Sequence, residues 1–251
     1  MSMASRFFLV PFLPTLTFDA QPELTLHELE FFLRLNLSSA EMETVSQLYL
    51  RYDIENIRSF LEGLPMTAVG KIPHDDLRDQ LESEECSIPG VSEFFAQYKT
   101  PAERAANAHL LPRYFLTHSP ADLPPFIHKY FRFEHLGRLL MASLRAEALG
   151  RVFEVTPEEV GFDIHDQKAW PDEFAPLVTI WHARHHHPKE LEEAISEWKF
   201  QILGSLIADC SPFSLDRVLA YILQLRILES RREMKTANHI PTLERIVEAV
   251  K

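Results

Sequence analysis

Residues 125–150 read PFIHKYFRFEHLGRLLMASLRAEALG, and the architecture can be read outward from them. Phe126, Tyr130, Phe133, Leu136, Leu140 and Leu144 recur every three or four residues, the period of a helix with an apolar face. Pro125 suits a first helical turn, where its missing N–H is no loss. Gly150 can end the helix in the left-handed conformation. The spacing predicts a long helix from about Pro125 to Leu149.

The same signals recur on either side. Thr25-Leu26-His27-Glu28, Ser38-Ser39-Ala40-Glu41 and Thr100-Pro101-Ala102-Glu103 each place a hydroxyl three residues before a glutamate, the pattern of a capping box. Leu29, Phe32 and Leu33 follow the first. Met42, Val45, Leu48, Tyr49 and Tyr52 follow the second as an apolar stripe that Ile57 and Leu61 continue, with Gly63 and Pro65 as the stop. Pro73 opens a short helix carrying Leu77 and Leu81, and the acidic patch Glu82, Glu84, Glu85 reads as a solvated loop. Residues 117–125 form a Pro-rich turn, Thr156-Pro157-Glu158-Glu159 starts another, and 161–172 read as an irregular connector. Helices are expected at about 173–187 and 189–208, from Ser211-Pro212 to about Lys235, and after Ile240-Pro241. Only Phe7–Val10 reads as extended, a short core strand.

Composition agrees. The chain has 251 residues, 46% of them hydrophobic, which excludes a disordered chain. Its seven glycines are about 3% of the residues, against a usual ~7%. No glycine-rich phosphate cradle is available: Gly70-Lys71 lacks the preceding glycine and the following Ser or Thr of a nucleotide loop. Lys and Arg number 25 and Asp and Glu 37, a formal charge of −12. That balance disfavours nucleic acid as the main partner, since affinity there rests on Lys and Arg displacing counterions. The expected fold class is all-α, an elongated multi-helix bundle with the short N-terminal strand. It forms a single helical domain over 1–251, or two helical lobes of about 1–118 and 119–251.

Few residues propose chemistry. Cys86 and Cys210 lie far apart and read as reduced thiols packed as small hydrophobes. His182 and His186 stand four apart, the spacing of a two-histidine metal site on a helix, but Ala183 occupies the place of the activating glutamate of His-Glu-x-x-His. The plainer reading is a solvated helix end before Pro188. No Gly-x-Ser-x-Gly nucleophile is present. Arg226, Arg231, Arg232 and Lys235 lie late in the last long helix, where the dipole favours positive charge; the functional reading is a docking face for an acidic partner. Asp53, Asn56 and Arg58 place polar groups three and five residues apart, able to fasten one helix to a neighbouring backbone by charge-assisted bonds. The run before Pro11 and Pro14 is too short for a membrane span and is followed by no small-residue cleavage site, so a cytoplasmic protein is expected.

The segment Tyr52-Asp53-Ile54-Glu55-Asn56-Ile57-Arg58-Ser59-Phe60-Leu61, followed by Gly70-Lys71-Ile72-Pro73 and Leu77, is similar to a motif of the V/A-type ATPase C-type family of central-stalk proteins, whose eukaryotic members are called d-type. The opening from Phe7 to Phe18, Phe131-Arg132-Phe133-Glu134 with Leu144-Arg145-Ala146, and Tyr221 to Glu229 resemble a bacterial family encoded beside V-type ATP synthase subunits. The resemblance implies an all-helical, non-catalytic adaptor with no cofactor. It would couple the rotor shaft to the membrane proteolipid ring and lie at the inner face of the cell membrane through that complex. The rival expectation is a helical metalloprotein or hydrolase using His182 and His186.

Overall fold

Helix ends, more than propensity, shape this chain. The computed structural model describes residues 9–66, 70–118, 123–153, 155 and 163–237. From Leu26 onward its helices are α1 (Leu26–Asn36), α2 (Ser39–Gln47), α3 (Leu50–Leu61), α4 (His74–Glu82), α5 (Val91–Gln97), α6 (Pro101–Asn107), α7 (Leu111–His118), α8 (Pro125–Ala148), α9 (Ala175–Arg184), α10 (Pro188–Leu206) and α11 (Leu215–Ala237). Short 3-10 turns stand at Ala108–Leu110, Gln167–Ala169 and Asp172–Phe174. The all-α expectation holds, and there is no β-strand among the described residues.

The expected N-terminal strand is corrected. Residues 9–12 are helical, and Leu13 N–H donates to Val10 O at 3.3 Å. A lone extended segment needs a neighbouring strand to satisfy its backbone, and the described residues offer none; a helical turn satisfies it locally. The turn at 156–159 and the helix after Ile240-Pro241 lie outside the described residues. No helix among the described residues is long and apolar enough to cross a membrane.

The chain divides into two compact units, one formed by Ser39–Ala175 and the other by Met1–Ser38 together with Pro176–Lys251. In the first, α8 is the central element. Phe126, Ile127, Tyr130, Phe131, Phe133, Leu136, Leu140, Met141 and Leu144 are all buried, so more than one of its faces meets other helices. Phe133 stacks on Phe174 with ring centroids 5.2 Å apart, and Phe131 meets Phe115 edge-on at 5.5 Å. The helix ends as its sequence predicts. Gly150 takes φ 63°, its N–H donates to Glu147 O, and Arg151 N–H donates to Ala146 O. Gly63 closes α3 the same way, with Leu64 N–H to Ser59 O at 2.7 Å. These paired bonds satisfy carbonyls the helix leaves open. The stripe expected to run unbroken from Met42 to Leu61 is interrupted at Leu48-Tyr49, where α2 ends and α3 starts.

In the second unit α10 packs on α11, and Phe18, Phe200 and Leu228 form a buried cluster with Leu16 and Ile227 against it. Thr25 and Glu28 form the predicted capping box on α1. The next free amide of that helix, Leu26 N–H, donates to Glu229 of α11 at 2.8 Å. A carboxylate at a helix N-terminus answers both the unpaired donors and the dipole, so this contact fixes where α1 meets α11.

Candidate functional site

Among the described residues, the two fully buried polar side chains of the first unit, Asp53 and Asn56, both lie on α3. Its N-terminal half carries charges on two faces. One face turns to the loop before α4, the other to α8.

On the loop face, Asp53 and Asn56 are fully buried. The Asp53 carboxylate accepts Lys71 N–H at 3.0 Å on Oδ2 and Ile72 N–H at 3.2 Å on Oδ1. Burial pushes this carboxyl up to about 6, against the opposing pull of the two amides and of the positive charge at Lys71 and His74. Gly70 makes the approach feasible: a Cβ there would sit 2.3 Å from Asp53 Oδ1 and 3.3 Å from Asn56 Nδ2. Lys71 carries its ammonium outward to Glu43 at 2.6 Å. Two segments that stand out in the sequence, Asp53 to Arg58 and Gly70 to Pro73, are therefore one physical unit, a helix clasping a loop. The same cluster raises the Cys86 thiol, first through burial and then through the Asp53 charge, which keeps Cys86 in its thiol form.

On the α8 face, Arg51 donates to Tyr130 Oη at 2.6 Å and pairs with Glu134 at 3.2 Å. Burial disfavours the Arg51 charge, yet Glu134 and its neighbours more than restore it, and burial pushes the Tyr130 phenol up. One helical turn on, Glu55 pairs with Arg138 of α8. Arg58 lies 3.6 Å from Glu55 and 3.0 Å from Glu62, half-exposed at the rim. The four charges of the two α3–α8 ion pairs, with Ile54, Pro112, Phe115, Leu116, Phe131 and His135, line a small crevice. What the arrangement does is hold: Asp53 grips two backbone amides of the loop, and Glu134 and Glu55 each pair with a guanidinium across the α3–α8 contact.

The remaining expected residues fall elsewhere. Arg231 belongs to the second unit, with its side chain only 16% exposed. Its Nε and Nη2 donate to Glu193 Oε1 at 3.0 and 2.5 Å, its Nη1 donates to Phe18 O at 2.5 Å, and its guanidinium lies 4.2 Å from the Phe18 ring centre. A residue so engaged braces α11 against α10 and the segment at Phe18. Arg226 and Arg232 also make contacts within the molecule. The geometry does not bring His182 and His186 together on one helix, because α9 stops at Arg184. His185 turns back instead, its Nδ1 3.0 Å from Trp181 O and its ring stacked on Trp181. Among the described residues no three His, Cys, Asp or Glu side chains are placed to hold a metal ion.

Two sets of partners escaped sequence reasoning. Arg51, Glu55, Glu134 and Arg138 look like ordinary helix-surface charges until α3 and α8 are known to touch. Glu84, expected in a solvated loop, ends α4 at φ 58° and holds the buried Arg104 at 2.8 Å. Arg104 in turn donates to Tyr98 O and covers Phe95 at 4.1 Å.

Comparison with known proteins corrects one expectation. The family whose profile covers residues 3–251 carries the description "Protein of unknown function (DUF2764)". Similar chains are an uncharacterized protein of Chlamydia muridarum, 26% identical across 89% of this chain and 92% of its own, and one of Chlamydia trachomatis, 25% identical with the same coverage. A Chlamydia pneumoniae protein is 26% identical over 82% of this chain and 84% of its own. No solved structure matches the chain. The resemblance to the V/A-type ATPase central-stalk family is thereby overturned: the profile and these relatives lead to a different family.

Proposed function

The chain belongs to the DUF2764 family, and on that footing we propose that it is a non-catalytic helical component of a larger bacterial assembly, acting by holding neighbouring subunits in fixed register. One observation carries the reading. The charged groups gathered on α3 are directed into bracing: Asp53 grips the backbone of Lys71 and Ile72, and Arg51 and Glu55 tie α3 to α8. A protein that transmits force or position needs such cross-links between stiff elements.

The assembly we propose is a bacterial V-type ATPase, with this chain an accessory protein in contact with rotor-shaft or membrane-ring subunits and peripheral to the membrane through them. Kinship to the central-stalk family forms no part of this reading. Affinity-tagged chain, expressed in its own host and cross-linked before membrane solubilisation, is expected to bring down rotor-shaft or ring subunits in fixed ratio. Recovery of a different complex, with rotary subunits at background level, would replace the V-type ATPase by that complex. Recovery of the tagged chain alone would end the proposal.

A further inference from the structure

α1 turns two faces to different surroundings. Leu29 and Leu33 are buried at 1% and 3% exposure, while Phe31 and Leu35 stand out at 61% and 66%. Single exposed apolar side chains are ordinary, but two large ones four apart on a helix make a stripe. The stripe has a flank of unusual regularity. Glu30 immediately precedes Phe31 and Arg34 immediately precedes Leu35, so both charges lie on the same side of it. They pair with each other at 2.6 Å, and both are well exposed.

We propose that this stripe is a self-pairing surface, on which a second copy of the chain lays its own α1 antiparallel. A two-fold axis across α1 level with Leu33 sets Phe31 against the partner's Leu35, and Leu35 against the partner's Phe31. The same operation keeps both flanks on one side. Glu30 then meets the partner's Arg34, and Arg34 meets the partner's Glu30, closing a ring of four alternating charges. A parallel pairing would put the two charged flanks on opposite sides and gain nothing from them. Self-complementary flanks select a second copy over other occupants. Each copy carries a formal charge of −12, so two copies approach most readily where local charge cancels, as it does between Glu30 and Arg34. Two side chains cover far less than the ~800 Å² per partner of a stable interface. The pairing is therefore weak and reversible.

Sedimentation velocity of the full chain over a range of concentrations tests this. The wild type is expected to pass from monomer towards dimer as concentration rises. Exchange of Phe31→Ser with Leu35→Ser should leave a monomer at every concentration with unchanged circular dichroism. Glu30→Arg alone and Arg34→Glu alone should each weaken association about tenfold, because each reversal sets like charges opposite one another at two places. Mixing these two variants should restore association as a heterodimer, since the charges are then opposite again. That recovery is a readout that damage to one helix cannot produce. A wild type that stays monomeric throughout, a dimer indifferent to Phe31 and Leu35, or a mixture that fails to pair would each overturn the proposal.

Discussion

Arg51 on α3 and Glu134 on α8 pair at 3.2 Å with side chains only 20% and 6% exposed, so a charge pair joins the two helices inside their unit. Taking both charges out of water is costly, and their attraction recovers that cost only while both are present. Tyr130 adds a hydrogen bond to Arg51 from the same stretch of α8. The pair sets the register of α3 on α8 more surely than it adds net stability.

Arg51→Ala is therefore expected to lose about 3–5 kcal/mol in urea unfolding, because Glu134 is left buried without its partner. Arg51→Met with Glu134→Leu should recover most of that loss. A double variant no more stable than Arg51→Ala would show that the pair contributes by net attraction.

Asp53 gives a pH dependence of defined sign. Its carboxyl is pushed up to about 6 in the folded chain, against ~3.9 in an unfolded one. The folded state then holds the proton more tightly. The stability this group contributes is present in full below about pH 4 and is lost as pH rises through 6. Asp53→Asn removes the titration. Relative to that variant, the wild type should gain on the order of 2 kcal/mol between pH 7 and pH 4. A difference between the two that stays flat over that range would disprove the shift.

Two glycines are expected to resist exchange for alanine. At Gly70 the new methyl would meet Asp53 Oδ1 at 2.3 Å, and at Gly90, with φ 83°, it would meet Tyr114 O at 2.4 Å. Each exchange should cost about 2–4 kcal/mol by thermal or urea unfolding, through overpacking at both sites and added backbone strain at the second. Gly63→Ala makes a useful comparison. It shares the positive φ but has nothing within 4 Å of a Cβ, so its loss should stay near ~1 kcal/mol.

In the second unit, Arg231→Ala should cost about 2–3 kcal/mol, because Glu193 and the Phe18 carbonyl lose a common donor. Arg231→Lys should restore little of it, since an ammonium cannot offer the fork that reaches both. Unfolding followed by tryptophan fluorescence checks both variants.

Local chemistry made much of the fold legible. Thr25 with Glu28 and Thr100 with Glu103 both form the boxes their spacing predicts, and Gly63 and Gly150 both close helices. α8 runs Pro125–Ala148, within a residue of its expected end. The signal failed where neighbours decide. Phe7–Val10 has strand-like residues, but strand preference is realised only beside another strand. Glu84 takes, at the end of α4, the conformation usually left to glycine, with Glu85 N–H donating to Gln80 O at 3.0 Å, and its carboxylate holds Arg104 twenty residues on. Asp53 and Arg58 stood out in the sequence as polar groups fastening a helix. The loop that Asp53 holds, and the α8 residues that brace the opposite face of α3, became visible only with the helices in place.

The unit built from Met1–Ser38 and Pro176–Lys251 is discontinuous, with all of Ser39–Ala175 intervening in the chain. During translation the inserted unit can complete itself as soon as it leaves the ribosome. The outer unit has to wait: Phe18 and Leu26 stay without their partners on α11 until Arg231 and Glu229 have been synthesised. For that interval the apolar side of α1 is uncovered in the nascent polypeptide, and it is there that chaperones have the most to protect.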